Sequence, residues 1–301
     1  MNRLLGIGLS FLFIALLAGC KNQAATEPDR FDSGTLHISC DESFKPVIDA
    51  QIQVYEAEYP KTKIIAHYKP EAECIKDFLV DSIRLIIATL GVSVREKKII
   101  SDSLNTEAEA LTIAYDAIAV VVNKNATDSS FTLSDIKELV TGSSKKNLIP
   151  VFDGLKATST VRFMLDSVLR GQELGKNVVA AENSRGVLDY VARTTNAVGF
   201  VGVSWIGNND DSVQRFYLTK VRIARLESAD SPGRYVLPVQ YLIYTRSYPL
   251  IRDLVYVLKE KHIGLAHGFA LFLRKDRGQL IFRRAYLLPA LRPFYNRDTE
   301  L

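Results

Sequence analysis

Two hydrophobic periodicities alternate along the first half of the chain. Short β-branched runs at Thr35–Ser39, Lys63–His67 and Arg84–Thr89 predict buried strands. Between them, Pro46–Tyr59 carries apolar residues at helical spacing, and Glu71–Asp81 also predicts a helix. The resulting order of strand, helix, strand, helix, strand is typical of an open parallel sheet with helices on its faces. We therefore expect an α/β fold.

A second α/β unit follows. Ala114–Asn123 predicts a long strand, and Thr132-Leu133-Ser134-Asp135 fits a capping box that opens a helix ending before Gly142. Further strands are predicted at Leu148–Phe152, Ala197–Val201, Val239–Tyr244 and Leu254–Leu258. Further helices are predicted at Ser159–Leu169, Arg185–Arg193, Leu265–Leu273 and Arg277–Arg284. The chain after Gly34 is long for one core, which favours two lobes.

The N-terminus predicts an export signal. Asn2 and Arg3 precede an apolar run from Leu4 to Leu17, which is short for a bilayer span. Leu17-Ala18-Gly19-Cys20 resembles the bacterial lipobox. We expect cleavage of signal peptide 1–19, a lipid on Cys20 that holds the protein at the membrane, and a polar tether over 20–34. An uncleaved N-terminal anchor is the alternative. The domain is then extracytoplasmic, in the periplasm or at the cell surface.

Composition excludes several classes of protein. The chain is 47% hydrophobic and 24% charged, as in ordinary globular proteins, and its formal net charge of +4 suits a small anion rather than a nucleic acid. Cys40 and Cys74 remain after the lipobox, so they form either a disulfide or two buried thiols. His37, His67, His262 and His267 are scattered without metal-ligand spacing, and no cofactor motif is present, so neither a metal nor a cofactor is predicted.

Candidate chemistry lies where strands of a parallel sheet end and helices begin. After the first strand, Ser43 is placed to cap a helix with Pro46 in its first turn. In the second unit, three hydroxyl residues at 158–160 follow Lys156 at a helix start, where backbone N–H groups, hydroxyls and a cation can meet an oxyanion. A simple N-cap explains one of these hydroxyls but not the matching turn in the first unit.

The chain resembles the phosphate-binding proteins of ABC transporters, within the type II periplasmic binding-protein superfamily. The similarity covers nearly everything after Gly34 and rests on the order of several short motifs: Ser-Phe-x-Pro at 43–46, Ile86-Ile-Ala-Thr89, Val92-Ser-Val-Arg-Glu96, Val121-Val-Asn123, Leu133–Gly142, the Thr-Ser-Thr turn at 158–160, Ala197-Val-Gly-Phe200, Tyr248-Pro-Leu250, Gly268-Phe269 and Gly278-Gln279. The family implies two lobes that close on an oxyanion, with 35–117 and 223–301 in lobe 1 and 118–222 in lobe 2.

The resemblance also implies a set of ligand-binding residues. These are Ser43, Phe44 and Thr89 from lobe 1, and Ala157, Thr158 and Ser159 from lobe 2. Members of the family commonly place an arginine beside the ligand, and here Leu90 and Phe152 stand in those neighbourhoods. Lys156 and Arg185 are the candidates for the cation. Asp41 and Asp153 are the candidates for the aspartate that accepts a proton from hydrogen phosphate and so rejects sulfate.

An enzyme is not expected. Gly202-Val-Ser204-Trp-Ile206 lacks the last glycine of a nucleophile elbow, and the S-x-x-K matches at Ser134–Lys137 and Ser143–Lys146 have no accompanying motif. We expect a monomeric, lipid-anchored solute-binding protein that delivers phosphate or a similar oxyanion to an ABC permease. The alternative is a lipid-anchored sensor or surface protein that reuses the fold without a transport role.

Overall fold

The computed structural model describes residues 29–89, 102, 108–208, 210–260 and 262–292. The strands are β1 (Ser33–Asp41), β2 (Lys61–Lys69), β3 (Ile83–Ala88), β4 (Glu109–Asn123), β5 (Ser130–Phe131), β6 (Ile149–Phe152), β7 (Val179–Ala180), β8 (Ala197–Gly202), β9 (Val221–Ile223), β10 (Arg225–Glu227), β11 (Tyr235–Val236), β12 (Ile251–Leu258) and β13 (Leu288–Pro289). The predicted Val92–Glu96 motif and Leu90 lie outside the described residues.

The α-helices lie between these strands. They are α1 (Lys45–Glu58), α2 (Glu71–Lys76), α3 (Leu133–Thr141), α4 (Ser159–Phe163), α5 (Ser184–Arg193), α6 (Ser212–Leu218), α7 (Gln240–Tyr244), α8 (Leu265–Arg274) and α9 (Asp276–Arg284). Helix α4 continues as a π-helix over Met164–Leu169, and 3₁₀ turns occupy Glu42–Phe44, Asp77–Leu79 and Val203–Trp205. None of the described helices combines the length and the apolar character needed to cross a membrane.

One continuous sheet runs through both lobes in the order β2-β1-β3-β12-β4-β8-β6-β7. Strand β1 pairs in parallel with β2 and β3, and β6 pairs in parallel with β7 and β8. Between these two parallel groups, β12 and β4 run antiparallel to their neighbours. The long strand β4 contacts β12 and β13 near one end and β8 and β9 near the other. The crossing strands β4 and β12 therefore join the lobes, as predicted for the fold class.

Separate apolar cores stabilise the two lobes. In lobe 1, side chains of β1 and of helices α1, α8 and α9 share one buried core, which includes the fully buried Phe44, Tyr55 and Phe269. In lobe 2, the stacked rings of Phe152 and Phe200, 4.5 Å apart, lie at the centre of one cluster. That cluster also contains side chains that the sequence-based division assigns to lobe 1: Ala224, Leu226, Val236, Ile243 and Tyr248. Segment 224–248 thus packs on lobe 2.

Local sequence signals explain most element boundaries. The capping box predicted at Thr132 is present, because its side chain accepts from Asp135 N while the Asp135 carboxylate accepts from Thr132 N. The helix ends at Gly142, whose φ of 79° is the left-handed conformation that favours glycine. The cap predicted at Ser43 is wrong. Asp41 accepts from Ser43 N at 3.0 Å instead, which leaves the Ser43 hydroxyl free to point between the lobes.

One predicted strand is a helix. Residues 239–244 were expected to form a strand, but Gln240–Tyr244 is helical, with Ile243 buried and Tyr241 exposed. The alternating pattern in this segment is too short to distinguish the two-residue period of a strand from the 3.6-residue period of a helix. The turn that follows is fixed by tertiary contacts, since the Tyr248 hydroxyl donates to Ile118 O at 2.8 Å. The histidines are also less scattered than expected, because His37 Nδ1 and His67 Nε2 lie 2.9 Å apart across β1 and β2.

Candidate functional site

A buried arginine on a crossing strand stands at the centre of the site. Arg252 of β12 is 4% exposed, and its Nε donates to Asp116 Oδ2 on the paired strand β4 at 2.8 Å. Its Nη1 donates to Ser159 Oγ at 2.8 Å, and its guanidinium lies 5.0 Å from the centre of the Phe44 ring. A guanidinium keeps its charge when buried, so this side chain is a permanent cation between the lobes.

Two further carboxylates lie beside this cation. Asp41 ends β1 and Asp153 follows β6, so one comes from each lobe at the carboxyl edge of its parallel strands. Asp153 Oδ2 accepts from Thr160 Oγ1 at 3.2 Å and from Ser43 Oγ at 3.4 Å. Three buried aspartates, Asp116 included, thus surround one arginine. The excess of carboxylates needs protons or hydrogen-bond donors to be stable in this environment.

The three hydroxyls at the start of α4 have distinct roles. Thr158 is the N-cap of the helix and accepts from Val161 N at 3.3 Å. Ser159 and Thr160 are fully buried, and both accept from Arg252 Nη1. Ser159 Oγ also lies 3.3 Å from Ser43 Oγ of lobe 1. The predicted pairing of the two strand-to-helix turns is therefore present, with Ser159 rather than Thr158 at its centre.

Unpaired polar atoms concentrate at this site. Among the described residues, six buried side-chain nitrogen or oxygen atoms lack a hydrogen-bond partner within the protein. Four of them belong to this cluster: Asp41 Oδ2, Asp116 Oδ1, Asp153 Oδ1 and Arg252 Nη2. Native proteins rarely leave such atoms unpaired, because each carries a desolvation cost of about 1–3 kcal/mol. The cluster thus offers a donor and several acceptors to a molecule other than the protein.

Burial changes the protonation of these carboxyls. Desolvation raises the pKa of Asp41 to about 7, although the nearby Arg252 acts in the opposite direction. Burial likewise raises the pKa of Asp153, again against the effect of Arg252. Near neutral pH, Asp41 is therefore present both as a carboxylic acid, which can donate, and as a carboxylate, which can accept.

Hydrogen bonds between the lobes flank the cluster. On one side, Arg162 of α4 donates through Nε to Glu71 Oε2 at 2.5 Å, and Glu71 is 1% exposed. The Thr89 hydroxyl donates to Glu71 at 2.5 Å and accepts from Arg162 at 2.9 Å. Thr89, predicted to bind the ligand, thus belongs to this arginine–glutamate bridge between the lobes.

A second set of hydrogen bonds also joins the lobes. Glu42 Oε2 of lobe 1 accepts from the Ser184 hydroxyl at 2.8 Å and from Ser184 N at 3.2 Å, at the N-terminus of α5 in lobe 2. Nearby, Trp205 Nε1 donates to Ser43 O at 2.9 Å. In the described structure these direct contacts hold the two lobes together around Arg252.

Residues 25–277 match the PBP superfamily domain. That stretch is most of the chain. The chain belongs to the PBP superfamily. No curated protein matches its sequence.

Solved structures share the fold of this superfamily member. A candidate phosphate ABC transporter substrate-binding protein of Clostridium perfringens, with bound phosphate, has a TM-score of 0.70 at 20% identity, covering 85% of this chain and 100% of that one. An ABC-type phosphate transport receptor from Vibrio cholerae has a TM-score of 0.61 at 16% identity, covering 84% and 99%. A candidate phosphate-binding protein from Planctomyces limnophilus has a TM-score of 0.57 at 18% identity, covering 85% and 93%. The type II binding-protein fold expected from the sequence is confirmed.

Several residues predicted for the site lie outside the cluster. Lys156 is exposed and pairs with no described side chain, and Arg185 is exposed beside Tyr217. The structure thus places neither expected cation at the buried site, which holds Arg252 instead. Ala157 has a positive φ of 72°, and its carbonyl accepts from Ala72 N of lobe 1 at 3.0 Å, so it contacts the other lobe directly.

The cysteines do not form a disulfide in this structure. Cys40 and Cys74 are both buried and free. The Cys40 thiol lies against Asp41 O at 3.5 Å, and the Cys74 thiol against Lys69 O at 3.7 Å. Burial raises the pKa of both thiols, that of Cys74 to about 12, which keeps them protonated. Of the two alternatives, the structure has the buried thiols.

Arg252 and Asp116 are the residues of the buried cluster that the sequence patterns missed. Both stand inside largely apolar strands, Arg252 near the start of Ile251–Leu258 and Asp116 in the middle of Glu109–Asn123. A charged residue in such a run is rare unless it is paired, and this is the signal that could have revealed them. They follow no helix start, which is where the sequence patterns predict the anion site.

Proposed function

We propose that this protein is a solute-binding protein that captures phosphate for an ABC importer. The observation that supports the ligand is the Nη2 donor of Arg252 beside the unpaired oxygens of Asp41 and Asp153. Hydrogen phosphate can accept from the guanidinium and also donate a proton to a carboxylate. Sulfate, which carries no proton at neutral pH, can only accept and would leave these carboxylates unpaired.

The superfamily and the fold agree with this ligand. Three structures of similar fold are described as phosphate-binding or phosphate-transport proteins, one of them with phosphate bound. The absence of the family's usual arginine from the expected positions left open the alternative role of a sensor or surface protein. Arg252 supplies a cation, so that argument no longer applies.

The proposal extends to location and partners. Cys20 is the lipid-bearing N-terminus, residues 1–19 are the signal peptide, and the protein is a monomer outside the cytoplasm. Its protein partner is an ABC permease that accepts the loaded, closed form. Ser43, Phe44 and Ser159 contribute to the anion site, with Asp41, Asp153 and Arg252 at its centre.

Calorimetric titration of residues 21–301 tests the ligand. We expect phosphate to bind and sulfate to compete at least tenfold more weakly, since each unpaired buried group costs about 1–3 kcal/mol. Ser159→Ala should weaken phosphate binding about tenfold, and Arg252→Met should abolish measurable binding. The exposed Arg215→Met on α6 is the matched control. Equal affinity of the wild type and a folded Ser159→Ala variant, as judged by circular dichroism, would contradict the proposed site.

A further inference from the structure

The C-terminal helices carry a concentrated positive charge. Residues 262–292 contain five arginines and one lysine against a single aspartate, an excess larger than the +4 of the whole chain. We call the exposed cations Arg274, Lys275, Arg277, Arg283 and Arg284 of α8, α9 and the turn between them the basic face. Such a local excess indicates an interaction with an anionic partner.

Neighbouring acidic side chains neutralise only part of the basic face. Arg274 pairs with Glu109 at 2.8 Å and Arg277 pairs with Glu58 at 2.6 Å. Lys275, Arg283 and Arg284 have no acidic partner among the described residues. Three exposed positive charges of the basic face therefore remain available to a partner.

The basic face adjoins the root of the N-terminal tether. Asp29 is held by an ion pair with Arg84 and by a hydrogen bond with His262 at 2.9 Å, and Phe31 O accepts from the Tyr55 hydroxyl. A groove of about 690 Å³ has Phe31 on its wall together with Arg274, Lys275 and Arg277. The point where the tether leaves the domain is thus fixed beside the basic face.

Apolar side chains lie on the same groove. Ile263 is 83% exposed and Leu271 is 46% exposed, and both line it together with the cations. Protein surfaces that insert into the interfacial region of a bilayer combine exposed aliphatic side chains with basic ones.

The length of the tether limits how the domain can be oriented at the membrane. From Cys20 to Asp29 the chain can extend by at most about 30 Å. This step rests on the lipid anchor proposed above. A domain of this size has a radius of gyration of about 18 Å, so a tether this short keeps the surface around its root close to the bilayer. The basic face is part of that surface.

We propose that the basic face docks on anionic lipid headgroups and orients the domain at the membrane. Each cation near an anionic bilayer strengthens binding, and the groove offers Ile263 and Leu271 to the interface. A second copy of the chain is the less favourable occupant. In a symmetric dimer the same face meets itself, and the uncompensated cations would repel each other.

Vesicle co-sedimentation of residues 21–301 tests membrane binding by the basic face. This form lacks the lipid but retains every residue that the structure describes. Vesicles of phosphatidylcholine alone are compared with vesicles containing about 30% phosphatidylglycerol, at about 50 mM and about 500 mM NaCl. We expect binding only to the anionic vesicles at low salt. Lys275→Gln/Arg283→Gln/Arg284→Gln should weaken this binding at least tenfold and leave phosphate affinity unchanged.

The matched control removes three exposed cations elsewhere: Lys145→Gln/Lys176→Gln/Arg234→Gln. This variant has the same net charge and should bind the anionic vesicles at least threefold more tightly than the basic-face variant. Equal loss in both variants would mean that total charge rather than the basic face is responsible, and would overturn the proposal. Binding to neutral vesicles, or a dimer that only the basic-face variant loses, would also overturn it. The anchor is tested separately by release of Cys20→Ala from the membrane fraction, so the two failures are distinguishable.

Discussion

At the scale of single residues, Asp41 has the most consequential environment. Its carboxyl is buried beside Asp153 and Arg252, and one of its oxygens has no hydrogen-bond partner among the described residues. Its pKa of about 7 lies above the ordinary value of 3.8. The folded protein therefore retains a proton that the unfolded chain releases between those two values. Stability from this group is fully present below about pH 4 and is lost as the pH rises through about 7.

Asp41→Asn should remove this pH dependence. Without ligand, we expect the variant to be more stable than the wild type at pH 8, by about 1–4 kcal/mol, because it no longer carries a buried charge. The difference in stability between the variant and the wild type should shrink as the pH falls towards 4.5. Urea unfolding across this range measures it, and the exposed Asp210→Asn is the control. A constant difference at all pH values would show that Asp41 titrates normally.

The sequence predicted that the turns after the parallel strands meet, because such strands bring their following turns to one edge of the sheet. Ser43 and Ser159 do lie 3.3 Å apart, while their role in binding a ligand stays a prediction. Arg252 could not be placed beside them from the sequence, since its position depends on which strands cross between the lobes, and this is a property of the tertiary fold. Lys156 was chosen because it lies near the turn in sequence, yet its side chain is exposed.

At the scale of elements, helix α4 connects the anion site with the bridge between the lobes. Its first turn presents Ser159 and Thr160 to Arg252, and Arg162 on the same helix reaches Glu71 of lobe 1. A ligand that holds the start of α4 in place therefore also favours the bridge. The two sets of contacts should strengthen each other.

Arg162→Met tests this coupling. Removing the guanidinium leaves the buried Glu71 without its cation and takes away contacts that exist only when the lobes are closed. We expect phosphate affinity to fall about tenfold, chiefly through faster release, with the chemistry of the anion site intact. Stopped-flow binding measures both rates.

Arg215→Met, an exposed arginine of lobe 2, is the control for that experiment. A double variant with Glu71→Gln should lose little beyond the single Arg162→Met change, because the partners act as one bridge. Additive losses would mean that Glu71 and Arg162 act independently.

Element boundaries followed from the sequence where caps and periodicity agreed. The helix at Leu133–Thr141 has both a capping box and a terminal glycine, and it was predicted at the right place. The segment 239–244 has neither signal, and its short alternation was assigned to the wrong element. The turn after this helix is held by the hydrogen bond from Tyr248 to Ile118 O of β4, far away in sequence.

At the scale of the whole molecule, the two lobes meet through β4 and β12, and Arg252 and Asp116 are paired partners on these strands. The cation of the site is therefore attached to the hinge rather than to either lobe. Either lobe can therefore move towards Arg252 when the cleft closes. The length of the chain after Gly34 was sufficient to favour two lobes, but the packing of segment 224–248 on lobe 2 required the tertiary structure.

Closure should depend on the ligand in solution. Small-angle X-ray scattering should give a smaller radius of gyration with phosphate than without it. Arg252→Met should show no such change, because the ligand can no longer connect the lobes. Sulfate serves as the control anion. Identical scattering of the wild type in all three conditions would mean that phosphate does not drive closure.

The hydrogen bond from Trp205 to Ser43 O has a practical consequence. Trp205 is the single tryptophan of the chain, and its indole nitrogen contacts the opposite lobe at the turn that borders the anion site. Opening of the cleft exchanges that carbonyl for water and so changes the polarity around the ring. The protein therefore contains a built-in optical probe, whose intrinsic emission follows lobe separation in real time without any attached dye.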